Sequence, residues 1–97
     1  MLMAAGDIQD RYQVIGLVFA VASRTPEAKG CSVPVLGLGQ TYQDAATQLE
    51  SAARVRGADA VIHIGFEHRY SAATTGCGAS TTAFEVYSWG TAVKLVA

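Results

Sequence analysis

The sequence predicts an α+β fold, a β-α-β-β chain with one helix packed on a three-stranded antiparallel sheet. Three stretches carry that reading: an amphipathic helix from Thr41 to Arg56 that stops at Gly57, a run rich in Val, Ile and Phe before it, and two strand-like runs after it. Apolar residues recur every second position in the outer runs and at three and four in the middle one, which separates strand from helix.

Tyr12 to Val21 is the first strand. Its alternation places Tyr12, Val14 and Val18 on one face and Ile15, Leu17, Phe19 and Val21 on the other. A strand apolar on both faces has to be covered on both. One helix covers one side of a small sheet, so the second layer is expected from another subunit or from the long connection that follows. That connection, Ser23 to Gln40, holds both prolines and exceeds the usual loop length. Its middle, Cys31 to Leu38, is apolar enough to add a short strand used in assembly or to pack against a neighbour.

In the helix, Tyr42, Ala45, Ala46, Leu49, Ala52 and Ala53 share a face. Thr41 is placed to cap the first turn, with Asp44 close by, and Arg54 and Arg56 sit near the negative end of the dipole. Gly57 supplies the left-handed residue that ends a helix cheaply. The second strand, Ala58 to Tyr70, is expected to turn Ile62, Ile64 and Phe66 to the helix and Val61, His63, Gly65, Glu67 and Arg69 away from it. Asp59, directly after the helix stop, suits a role in satisfying nearby backbone amides. Ser71 to Ser80 has the composition of a loop, and Thr81 to Val96 closes the chain as a third strand. There Phe84, Val86 and Ser88 oppose Glu85, Tyr87 and Trp89, and Gly90 marks a bulge, kink or close backbone approach.

The 97 residues make a single domain, 1–97, of a size that leaves a large share of its surface unburied. With 51% hydrophobic and only 15% charged residues, part of the apolar surface is expected between subunits. The seven Lys and Arg are scattered and the net charge is −1, so the basic footprint of a nucleic-acid binder is missing. The N-terminal residues have neither the basic opening nor the apolar core of a signal peptide, and the longest apolar runs are too short to span a bilayer, so the expectation is a cytoplasmic protein with no membrane partner. Cys31 and Cys77 form no close-spaced pair and read as two free thiols.

Gly57-Ala-Asp-Ala-Val-Ile62 at the helix exit and Gly90-Thr-Ala-Val-Lys94 near the end resemble the two best-preserved motifs of the YbjQ-like family, labelled as heavy-metal-binding domains. The resemblance runs from Tyr12 onward. It implies a helix on an antiparallel sheet and a ring-shaped homopentamer built with extra short strands, so that the principal partner is the chain itself. Two departures stand out: members commonly have a small residue at the position of His63, and a longer, more charged connection where this chain has Thr25 to Gly39.

His63 and His68 are the obvious ligands for a divalent transition metal. Five residues apart in a regular strand they face oppositely, about 16 Å from each other at roughly 3.3 Å per residue. A metal site therefore calls for Cys31, Cys77 or a symmetry-related subunit. Tyr70, Tyr87 and Trp89 are candidates to line a shallow pocket for a planar ligand. No converging set of nucleophile, base and orienting group is visible, so an enzyme is the reading with least support. The function expected is that of a small ring-forming protein that binds a metal ion or small ligand at subunit interfaces, or else a structural or protein-interaction assembly with no ligand.

Overall fold

The computed structural model describes residues 1–24, 38–74 and 80–96. Four strands and one helix make up the architecture: β1 (Leu2–Met3), β2 (Tyr12–Arg24), α1 (Leu38–Val55), β3 (Ala60–Thr74) and β4 (Ser80–Leu95). They form one sheet in the order β1-β3-β4-β2, antiparallel except for β1, which pairs parallel to β3. The α+β class is as expected, but the sheet has four strands and is mixed rather than three-stranded and antiparallel. Two residues of strand leave no periodic signal, which is why β1 is not visible in the sequence.

Helix α1 lies over one face of the sheet. Thr41, Ala45, Leu49 and Ala53, four residues apart, are fully buried, and Leu49 and Ala53 pack with Val18, Val61 and Ala92 in the main core cluster. Small residues let the helix approach closely: the buried Ser88 hydroxyl on β4 lies 3.2 Å from the Ala45 carbonyl and 3.4 Å from that of Ala20, and so ties α1 to β2 and β4. The helix begins at Leu38, so Thr41 sits inside it rather than capping it. At the other end Gly57 is left-handed (φ 80°). Its amide donates to the Arg54 carbonyl (2.9 Å) and the Ala58 amide to that of Ala53 (3.1 Å), the paired bonds of a Schellman stop. Asp59 then accepts from the Leu95 amide at 2.9 Å, the structural role its position suggested.

Two bulges shift the strand faces away from simple alternation. The β2–β4 register breaks between Val14 and Gly16. Ile15 consequently joins the helix-side core, while Tyr12 packs with Ala60, Ile62 and Val93 on the opposite face. The β3–β4 register breaks between Ile62 and Gly65. Val61, not Ile62, therefore meets the helix, with Ile64 beside it. Gly90 stands opposite this second bulge, and a Cβ there would come 2.6 Å from Val61 Cγ1, so it marks a close approach.

Strands β3 and β4 run further than the sequence indicated, so half of the expected Ser71–Ser80 loop, 71–74 and 80, is strand; its middle, 75–79, and the connection 25–37 lie outside the described residues. The molecule measures 58 × 21 × 16 Å, with a radius of gyration of 16.9 Å, against about 12–13 Å for a compact chain of this length. Such an elongated body has less interior than its apolar content can fill.

Candidate functional site

Among the described residues, the sheet face turned away from α1 carries a run of exposed apolar side chains. Near the strand ends at β1 it is closed by Ile8 and Tyr12, which pack on Ala60, Ile62 and Val93. Beyond that it opens. Leu17, Phe19 and Val21 are 62%, 67% and 49% exposed, and Trp89, the cross-strand partner of Phe19, is 39% exposed. These four side chains form one contiguous apolar row across β2 and β4. Further along, the same face turns polar: the Tyr87 hydroxyl donates to Glu85 at 2.6 Å, and the Arg69 guanidinium stands 6.0 Å over the Tyr87 ring.

His68 lies on the other face, beside the helix. Its Nδ1 is 2.7 Å from the Tyr42 hydroxyl. The two rings belong to a run of aromatics: Phe66 packs on Tyr42 (centroids 5.6 Å apart), His68 on Tyr70 (5.1 Å) and Tyr70 on Phe84 (4.6 Å). Tyr42 and His68 are separated by 26 positions, and nothing in the sequence pairs them.

His63 occupies the β3 bulge with φ +53°, a left-handed conformation uncommon outside glycine. Two backbone bonds hold the bulge, from the His63 amide to the Gly6 carbonyl (3.0 Å) and from the Ile64 amide to that of Ala4 (3.1 Å). The exposed imidazole is electrostatically coupled to Asp7. That carboxylate accepts from the Ile8 amide and the Tyr12 hydroxyl, which, with the His63 charge, hold it below the usual carboxylate range. The same bond pushes the Tyr12 hydroxyl up.

The candidate residues are thus dispersed. His63 sits at the bulge and His68 among aromatics beside α1, while Cys31 and Cys77 fall outside the described residues. Tyr87 and Trp89 share the outer face, but Tyr70 packs on Phe84 on the helix side, so the three do not line one pocket. A groove of about 250 Å³ lies instead between α1, the N-terminal segment and β3, lined by Met3, Ala46, Glu50, Ile64 and Phe66 among others. No group of three or more His, Cys, Asp or Glu side chains able to hold a metal gathers among the described residues, where a transition metal generally takes at least three protein ligands. The described residues of one copy therefore supply no complete ligand set for the ion. No helix among them is long and apolar enough to cross a membrane.

A family model described as putative heavy-metal-binding, YbjQ_1, matches residues 36–96, more than half of the chain. Among solved structures, a protein of unknown function of the DUF74 family from Pediococcus pentosaceus is similar in fold. Its TM-score is 0.74 at 15% identity, over 99% of this chain and 98% of the other. No curated protein matches the chain.

Proposed function

Because the chain belongs to the YbjQ_1 family, described as putative heavy-metal-binding, we propose that it functions as a ring of identical copies, a pentamer, holding a metal ion or small ligand where copies meet. The observation that carries this reading is the open apolar row of Leu17, Phe19, Val21 and Trp89. Fully burying one such side chain contributes about 1.5–3 kcal/mol, and a contiguous exposed patch of this kind marks an interaction surface. The elongated shape of the subunit supports the same conclusion. In a ring, an exposed imidazole such as His63 or His68 recurs at every copy, and ligands missing from one chain are supplied by others. The second reading is an assembly with no ligand, favoured by the lack of a three-ligand group among the described residues.

Native mass spectrometry of the untagged protein tests the assembly and reads any retained ligand by mass. The expected result is a pentamer, and a charged residue in place of Phe19 breaks it into smaller species. A monomer for the unaltered protein overturns the proposal. For the ligand, adding zinc, nickel or copper is expected to raise the melting temperature by mass action. Replacing both His63 and His68 with alanine abolishes the shift. A melting temperature unmoved by all three metals leaves the ligand-free assembly.

A further inference from the structure

The two edges of the sheet complement each other, and we infer that copies join edge to edge: the outer edge of β2 pairs in parallel with the outer edge of β3 in the next copy. The inference rests on the assembly proposed above and specifies its contact.

In an antiparallel ladder the backbone N–H and C=O of successive residues point alternately to one neighbour and the other. On β2, the carbonyl of Leu17 accepts from the Arg56 guanidinium at 2.7 Å. The polar backbone of Leu17 therefore points away from β4, and alternation turns Phe19, Val21 and Ser23 outward as well. Thr91, opposite Leu17, must then be turned to β3, and so must Trp89 two residues before it. Trp89 pairs with Gly65 across the β3–β4 ladder. Gly65 is thus turned to β4, and Phe66, His68 and Tyr70 present their amides and carbonyls to the outside.

Both edges are closed near β1 and open beyond it. Arg56 caps the carbonyls of Leu17 and Ile15 on β2, and β1 with its extension covers β3 as far as Ile64. Past those points neither edge is paired among the described residues. The two open stretches are level: Phe19 stands across from Trp89 and Gly65, Val21 from Tyr87 and Glu67, Ser23 from Glu85 and Arg69. Long unpaired edges flanked by apolar side chains are templates for another strand.

Direction and face also agree. Strands β2 and β3 both run antiparallel to β4, so copies related by rotation about an axis along the strands bring β2 and the next β3 together in the same sense. In a parallel ladder each bonded residue of one strand lies between two bonded residues of the other. The bonded residues of β2 carry side chains on the outer face and those of β3 on the helix face. The phase therefore keeps every helix on one side of a continuous sheet. The half-exposed aromatics Phe66 and Tyr70 then lie beside the neighbour's β2, under its α1, which accounts for their exposure in one chain (41% and 58%). Such a contact joins two different patches, the kind that closes into rings.

Hydrogen exchange of individual amides in the unaltered assembly tests the pairing. The amides of Phe19, Val21, Ser23, Phe66, His68 and Tyr70 are expected to exchange on the order of 100-fold more slowly than unpaired edge amides. An assembly in which they exchange freely overturns edge pairing and leaves the assembly itself standing; a monomer overturns both. Two variants supply an independent reading. Val21→Pro and His68→Pro each remove an outward amide that β4 does not use, and circular dichroism verifies that each retains its sheet. Each alone is expected to lose the ring, and the two mixed form a 1:1 dimer through their intact edges. A His68→Pro variant that stays associated through β2 alone overturns the head-to-tail arrangement in favour of like edges pairing.

Discussion

The indole of Trp89 occupies the space directly over Gly65: a Cβ at that glycine would come 2.4 Å from Cζ2 and 2.6 Å from Nε1. The two residues are ladder partners. The missing side chain on β3 is what lets the ring lie across the sheet next to Phe19 instead of standing off it. Gly65→Ala is expected to drive the ring outward at a cost of about 1–3 kcal/mol, the range for inserting a methyl into an occupied site. Tryptophan emission reports the move, since this chain has a single tryptophan. An unchanged emission spectrum and melting temperature would show that the indole does not depend on Gly65.

The His63 conformation makes an opposite prediction for two substitutions at one place. At φ +53° a side chain costs about 1–2 kcal/mol relative to glycine, and a β-branched one more. His63→Gly is therefore expected to leave stability unchanged or raise it slightly, and His63→Val to lower it. Urea midpoints measured at equal protein concentration decide the matter, because the proposed assembly would tie apparent stability to concentration. Equal losses for the two would mean that the imidazole itself, through its charge interaction with Asp7, stabilises the bulge.

The same bulge shows where sequence reading stops. Helix α1 was legible because Ala45, Leu49 and Ala53 repeat at four, and the cross-strand arrangement of Phe84, Val86 and Ser88 because β4 alternates without interruption. The faces of β2 and β3 were legible on only one side of each bulge, since one extra residue at Val14/Gly16 and another near His63 reverse the side chains across it: Tyr12 parts from Val18 and Ile62 from the helix, while Ile64 and Phe66 meet the helix as expected. The open face survived this error: Leu17, Phe19 and Val21 lie beyond the first bulge and keep their common side. The contact of Tyr42 with His68 and the charge interaction of Asp7 with His63 depend on which elements meet in space. No local spacing encodes them.

Along α1, Leu49 and Val55 differ more than their chemistry suggests. Leu49 is fully buried against Val18, Val61 and Ala92, whereas Val55 is 88% exposed. Leu49→Ala is expected to cost about 2–5 kcal/mol, including the cavity under a helix already rich in alanine. Val55→Ala stays within about 0.5 kcal/mol, as at other exposed positions. Thermal unfolding of the two variants checks the contrast, and similar losses would place the helix in a different rotation about its axis.

Acid is expected to loosen the start of α1 from β2. Asp44 accepts from Gln40 at 3.1 Å and from the Arg24 guanidinium at 2.8 and 3.0 Å. These bonds, the Gln40 amide foremost, hold its carboxyl below the usual carboxylate range. A carboxyl lowered in the folded state stabilises above its unfolded pKa, near 4, and that contribution disappears as pH falls through the lowered value. Asp44→Asn should consequently melt below the unaltered protein at neutral pH, with the difference shrinking as the pH falls from about 5 to about 2. Because both side chains are partly exposed, the neutral-pH difference should also narrow in high salt. A gap that stays constant from neutral to acid pH would assign the effect of the substitution to something other than the carboxylate charge.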